Sequence, residues 1–219
     1  MIPKIDSYRM PAAEELPQNL ATWRPSPDRA VVLIHDMQQY FIDFFPAASP
    51  PVTELVGNIA RIRQAAIRMG IPVAYTAQPG GMSPDQRGLL RDFWGPGMDR
   101  RTEHRRIIAE LAPSAEDLVI TKWRYSAFYR SELIEFLHQR NRDQLIICGV
   151  YAHVGCLMTA CDALASDIQA FLVADGTADF DRASHDMALE YAAKRCAVTI
   201  RTDDLIGKLC QPAQGVVHG

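Results

Sequence analysis

Six short, near-continuous aliphatic runs, separated by longer segments with helical spacing, constrain this chain more than any other feature. They are AVVLIHD (30–36), IPVAYTAQ (71–78), DLVITK (117–122), QLIICGV (144–150), AFLVADG (170–176) and CAVTIR (196–201). A strand that is apolar on both faces must be covered on both faces, which favours a parallel sheet with helical crossovers. Right-handed connections then lead to a three-layer α/β/α sandwich around a doubly wound, mostly parallel six-stranded sheet. The intervening segments carry the helical period. In 53–70, Leu55, Ile59, Ile62, Ala66 and Met69 share one face, and Gly70 ends the segment. Further helices are expected over 131–140 with Ser131 as N-cap, from about Val154 to Ser166, over 181–196, and onward from Asp203 or Asp204.

The 219 residues suffice for one core, so a single domain over 1–219 is expected. Residues 1–25, rich in proline and polar groups, read as an arm packed on the surface, and 211–219 as a frayed tail. The formal charge of −3 comes without a basic block, which argues against nucleic acid or an anionic membrane as partner. No apolar run approaches the ~18 residues of a membrane span. MIPKIDSYRM places a charge and a proline where a signal peptide needs an apolar stretch, so a soluble, cytoplasmic protein is expected. The five cysteines (148, 156, 161, 196, 210) form no C-x-x-C pair, so neither a disulfide framework nor a zinc knuckle is expected. There is no G-x-G-x-x-G and no Walker A sequence, hence no nucleotide fingerprint.

Chemistry belongs at the carboxyl ends of such strands. Asp36 ends the first run, where burying a carboxylate unpaired costs several kcal/mol. It reads either as N-cap of the following MQQYF or as a general acid or base. Lys122 ends the third run, either snorkelling to the surface or facing the same edge as Asp36. The fourth run ends in GVYAHVGC, where Gly155 and Cys156 begin a helix with free N–H donors suited to an anion. Such a position also lowers a thiol pKa, which makes Cys156 a candidate nucleophile. The long connection 77–116 leaves a strand end, so it is expected to lie over this edge as a functional loop.

Over nearly its whole length the chain resembles the isochorismatase-like, or cysteine hydrolase, superfamily. That superfamily draws an Asp, a Lys and a Cys from these three strand ends, the Cys in a pattern G-V-x-x-x-V-C. Here Gly149, Val150 and Val154 match and the cysteine position falls on Gly155. Cys156 stands one residue late, a rotation of about 100° on a helix, which turns its sulfur away from Asp36 and Lys122. The strings LIHDMQ-x-YF, YTAQP, QRGLL-x-DFWGPG, KWRYSAF, GVYAHVG and VADGTADF resemble the isochorismatases proper. The likeness is closest to their stand-alone phenazine-pathway members, which act on 2-amino-2-deoxyisochorismate; siderophore isochorismatases are the alternative.

The resemblance implies vinyl-ether hydrolysis without a covalent nucleophile, metal or cofactor. Asp36 and Lys122 become the catalytic residues, with Asp36 as proton donor. Arg87, Gln78 and the Gly155 N–H are expected to hold the carboxylates of a small-molecule substrate. Trp94 and Tyr151 would wall its ring, with the Tyr151 hydroxyl as a further donor, and the missing side chain at 155 would make room for the ring. It also implies a cis peptide at Val150–Tyr151 and a homodimer. Two rivals remain: a Cys156-dependent amidohydrolase, and a binding module that has lost its activity. The Asp-x-His metal pattern of many thiol relatives does not follow Asp36, and His35 and His153 lack a third ligand at recognisable spacing.

Overall fold

In the computed structural model, which describes residues 2–211, the six runs form one sheet: β1 (Ala30–His35), β2 (Val73–Ala77), β3 (Leu118–Thr121), β4 (Gln144–Val150), β5 (Gln169–Ala178) and β6 (Ala197–Ile200). All neighbours run parallel, in the order β3-β2-β1-β4-β5-β6. The helices are α1 (Gln39–Ile42), α2 (Val52–Arg68), α3 (Pro84–Arg87), α4 (Leu90–Trp94), α5 (Thr102–Arg105), α6 (Leu133–His138), α7 (Leu157–Ala165), α8 (Arg182–Arg195) and α9 (Thr202–Leu209).

The sheet is buried on both faces, and successive residues alternate between them. On β1, Val32 and Ile34 join the core that holds Leu55, Ile59 and Ile62 of α2 and Leu205 of α9. Val31 and Leu33 face the other core, with Leu133 of α6, Ala160 of α7 and Leu189 of α8. The doubly wound sandwich follows. The chain leaves β1 toward β2 on one side and returns at β4 on the other. This reversal opens a crevice between the carboxyl ends of β1 and β4, where such sheets bind ligands.

Some local expectations need correcting. Ser131 is not the N-cap of α6, which starts at Leu133; its hydroxyl donates to Ala127 O at 2.5 Å and accepts from the Leu133 N–H at 3.3 Å, bracing the preceding loop. α9 starts at Thr202, before either aspartate, because the buried Asp175 carboxylate accepts from both the N–H and the hydroxyl of Thr202. The N-terminal arm is more than a surface strap, since Ile5 and Met10 are buried in the core. Of the tail, all but Gln211 lies outside the described residues. Among the described residues no helix is long and apolar enough to cross a membrane.

The connection 77–116 holds three short helices, α3 to α5, and is tied down by one wholly buried side chain. Gln38 donates to Gln78 O and Arg105 O and accepts from the Gln78 N–H at 2.7 Å. A buried amide with its hydrogen bonds satisfied fixes loop geometry, because breaking any one strands a polar group away from water. The loop is thereby held over the carboxyl end of the sheet.

Candidate active site

Asp36 directly follows β1 with φ of 50°, a left-handed conformation that aspartate tolerates better than most side chains. Its N–H donates to Thr76 Oγ1 at 3.0 Å, and the same hydroxyl donates back to Asp36 Oδ1 at 2.5 Å. Lys122 follows β3, and its Nζ donates to Asp36 Oδ2 at 2.9 Å. Both side chains are buried, at 5% and 4% exposure. Asp36 is therefore not an N-cap; α1 begins at Gln39, with Gln38 in the capping position. Burial is the largest influence on the Asp36 carboxyl and pushes its pKa up. Lys122 and the hydrogen bonds from Thr76 and Lys122 outweigh it, and the net direction is down.

At the end of β4 the Val150–Tyr151 peptide is cis, as the family resemblance implied. GVYAHVGC does not enter an ordinary α-helix; residues Ala152–Cys156 form a π-helical turn ahead of α7. Tyr151 O accepts from the N–H groups of Val154, Gly155 and Cys156. The Gly155 N–H is thus not a free donor for substrate, contrary to the expectation from an α-helical start. The missing side chain at 155 makes no room for a substrate ring either. A Cβ there would fall 2.1 Å from His35 Cε1, so the glycine accommodates the His35 imidazole. His35 is wholly buried, with Nδ1 3.0 Å from Val150 O and Nε2 3.4 Å from Thr159 Oγ1. Burial lowers its pKa to about 4, so the ring is neutral. Cys156 lies in the core on the α6–α8 side of the sheet, where burial raises its thiol well above the ordinary range.

These elements enclose a cavity of about 570 Å³, counted to its open mouth. All seven residues singled out in the sequence line it: Asp36, Gln78, Arg87, Trp94, Lys122, Tyr151 and Gly155. Arg87 is 5% exposed, donating from Nε to Gly95 O and from Nη1 to Gln78 Oε1. Among the described residues it has no carboxylate partner, and burial lowers its pKa. A buried guanidinium left without a counter-charge is a prepared anion site. Trp94 donates from Nε1 to the Tyr125 hydroxyl at 2.7 Å. The Tyr151 ring lines the cavity, 4.5 Å from Phe180 between ring centres. Its hydroxyl, however, donates to Phe41 O at 2.9 Å, so it is not aimed at a ligand.

Sequence reasoning missed Thr76, Tyr40, Arg124, Tyr125 and Phe180. Four of these line the cavity, and Thr76 braces Asp36 from β2. Arg124 and Tyr125 adjoin Lys122 in KWRY and Phe180 closes VADGTADF, so their positions were visible; Thr76 read only as a strand residue. Arg124 donates to Gln86 O and Trp123 O and has no carboxylate partner among the described residues. With Lys122 balanced by Asp36, the lining carries two further cations and no further acid. No cysteine or serine lines it. His153 is committed to Asp179, Nδ1 to Oδ1 at 2.6 Å, and among the described residues no group of three or more His, Cys, Asp or Glu is placed to hold a metal ion.

The isochorismatase domain profile matches residues 30–204. The chain belongs to the isochorismatase family. It is 56% identical over 208 residues, 95% of this chain and 67% of the relative, to "Isochorismatase" of Bacillus subtilis (strain 168). It is 55% identical over 205 residues, 94% of this chain and 98% of the relative, to "Phenazine biosynthesis protein PhzD" of Pseudomonas fluorescens. The crystal structure of a cysteine hydrolase from Pseudomonas syringae pv. phaseolicola superposes with a TM-score of 0.79 at 23% identity, covering 88% of this chain and 97% of that one, a likeness of fold. The protein is accordingly a hydrolase of the isochorismatase family.

Proposed function

We propose that this enzyme hydrolyses the enolpyruvyl vinyl ether of 2-amino-2-deoxyisochorismate, releasing pyruvate and trans-2,3-dihydro-3-hydroxyanthranilate. The reading rests on one feature above all. The cavity has a single carboxyl group, tied to a lysine, and two arginines that lack a carboxylate partner among the described residues, with no thiol in its lining. Such a site suits a dianion that must be protonated.

Asp36, as a carboxylic acid, gives its proton to the terminal methylene carbon. The vinyl ether becomes an oxocarbenium ion, water adds to it and returns a proton to Asp36, and the hemiketal so formed collapses to pyruvate and the ring alcohol, its hydroxyl proton passing to the leaving ring oxygen. Without substrate, Lys122 holds Asp36 in its ionised form. A substrate carboxylate that takes over Lys122 releases Asp36 to carry the proton, so the two titrate as a coupled pair. Arg87 and Gln78 bind the other carboxylate, and Trp94, Tyr151 and Phe180 flank the ring.

A second reading, isochorismate as substrate, is supported by the 56% identity to the Bacillus subtilis isochorismatase. The two differ by one hydrogen-bonding group on the ring. Incubating purified protein with each compound and coupling pyruvate release to lactate dehydrogenase decides between them; no pyruvate from either refutes both. Cys156→Ala retains full activity on this reading, whereas thiol catalysis requires its loss. The proposal takes residues 1–219 as one domain acting in the cytoplasm as a homodimer, a state that sedimentation velocity checks.

A further inference from the structure

The family domain match begins at residue 30, yet the cavity does not. Ile2 lines it, beside residues of β1, β4 and the loop 77–116. Between Ile2 and residue 12 the arm is anchored repeatedly. The Ile5 N–H donates to Phe44 O at 3.0 Å with its side chain wholly buried, and Ser7 Oγ donates to Pro50 O at 2.6 Å.

Tyr8 then inserts behind the site. Its hydroxyl accepts from the Asp179 N–H at 2.7 Å and lies 3.2 Å from His185 Nδ1. His185 Nε2 is 3.2 Å from Thr177 Oγ1, which donates onward to Val173 O. These bonds are satisfied in one direction only. Tyr8 donates to Nδ1, and Nε2–H donates to Thr177, with His185 neutral in its buried place. Asp179 is therefore held at its N–H by the arm. Its carboxylate accepts from the N–H groups of Phe180 and His153 and from the His153 ring. The next residue, Phe180, is the cavity wall, packed on Tyr151, Trp94 and His153.

We infer that the N-terminal arm is a working part of the substrate site: Ile2 closes the mouth of the cavity, and Tyr8 is a positioning residue that sets Phe180 against the substrate ring. A packed wall fixed from behind orients a ring without touching the reacting atoms, so its loss shows in substrate binding more than in the chemical step. The kinetic arm of the test rests on the vinyl-ether reading above; the exchange arm does not.

In the full chain, Tyr8→Phe removes the acceptor for the Asp179 N–H. Hydrogen exchange of the peptide spanning Asp179 and Phe180 then speeds up about tenfold, and KM for pyruvate release rises by about the same factor while kcat stays within about twofold. Ile2→Glu places a carboxylate in the lining that also holds Arg87 and Arg124. It raises KM severalfold, in a manner that added salt diminishes, while Ile2→Gln changes KM far less. Unchanged exchange in Tyr8→Phe, or equal KM values for Ile2→Glu and Ile2→Gln, overturns the inference. Should wild type turn over neither vinyl ether, that failure belongs to the proposed reaction, and exchange alone decides the role of the arm.

Discussion

Replacing Gly155 with alanine tests the tightest contact in the site. The new Cβ would fall 2.1 Å from His35 Cε1, against the roughly 3.5 Å at which carbon atoms rest in contact. The ring has to yield by more than 1 Å. It is wholly buried and held at both nitrogens, by Val150 O and Thr159 Oγ1. Overpacking of this kind costs about 1–3 kcal/mol. Displacing the ring leaves buried polar groups unpaired, which adds about 1–3 kcal/mol. The expected loss is therefore about 2–6 kcal/mol, large against the roughly 5–15 kcal/mol that holds a domain folded. The companion His35→Ala removes the obstacle at the expense of a void. In His35→Ala/Gly155→Ala the clash is gone, so the double variant is more stable than the sum of the single losses by about 1–3 kcal/mol. Urea unfolding of all four proteins, followed by circular dichroism, reads this directly. If Gly155→Ala stays within about 0.5 kcal/mol of wild type, or the single losses simply add, the steric account of the glycine is wrong.

Asp36→Asn keeps the shape of the carboxyl but cannot donate the required proton, and pyruvate release falls by about 10²–10⁴-fold in the coupled assay. Lys122→Met reverses the direction of the Asp36 shift. In wild type the depressed carboxyl contributes stability that is present above its unfolded value near ~3.9 and lost as pH falls through the folded value. With the cation gone, burial, the largest influence, is opposed mainly by the Thr76 hydrogen bond and raises that carboxyl, so the charged form destabilises at neutral pH. The stability gap between variant and wild type then narrows as pH falls from 7 to 5; a constant gap contradicts this. Acid stability more generally follows His35 and His185, both buried, with folded pKa values of about 4. Between their unfolded value near ~6.5 and 4 the folded state binds fewer protons, so stability falls as pH falls, by up to ~3 kcal/mol for each group. His153, raised by Asp179, works in the opposite sense and reduces the net slope. Urea midpoints measured at pH 7, 6 and 5 show the decline.

The sheet was legible because burial on both faces leaves a mark that needs no neighbours to interpret: every position of β1 and β4 is buried, and aliphatic residues fill most of them. Asp36 and Lys122 were legible for the opposite reason, as charges where such runs stop. What could not be read was where individual polar atoms point. The Tyr151 hydroxyl had an obvious use in a pocket, but Phe41 O lies within reach across the fold and takes it. From the sequence the Gly155 N–H reads as free, because the first N–H groups of an α-helix are free. A π-turn instead gathers three of them onto the Tyr151 carbonyl, a backbone choice that no residue type in AHVGC announces. Ser131 missed its cap because α6 starts two residues on, at Leu133, with Glu132 in the capping position.

Gly155 and His35 together bear on why acid chemistry belongs to this site. The cysteine position of the thiol hydrolases is empty here, and the emptiness is filled from the neighbouring strand by an imidazole. A thiol cannot be restored at 155 by one substitution, because any Cβ there meets His35. Nor does Cys156 offer a substitute, since its sulfur is buried on the far side of the turn with its proton held tightly. His35 also sits one residue from Asp36, so a change that frees space for a thiol removes the group packed beside the acid. The two chemistries are thus separated by a pair of coupled positions rather than by a single residue. Each single step between them leaves a clash or a cavity, which on the proposed reading leaves the acid chemistry with Asp36.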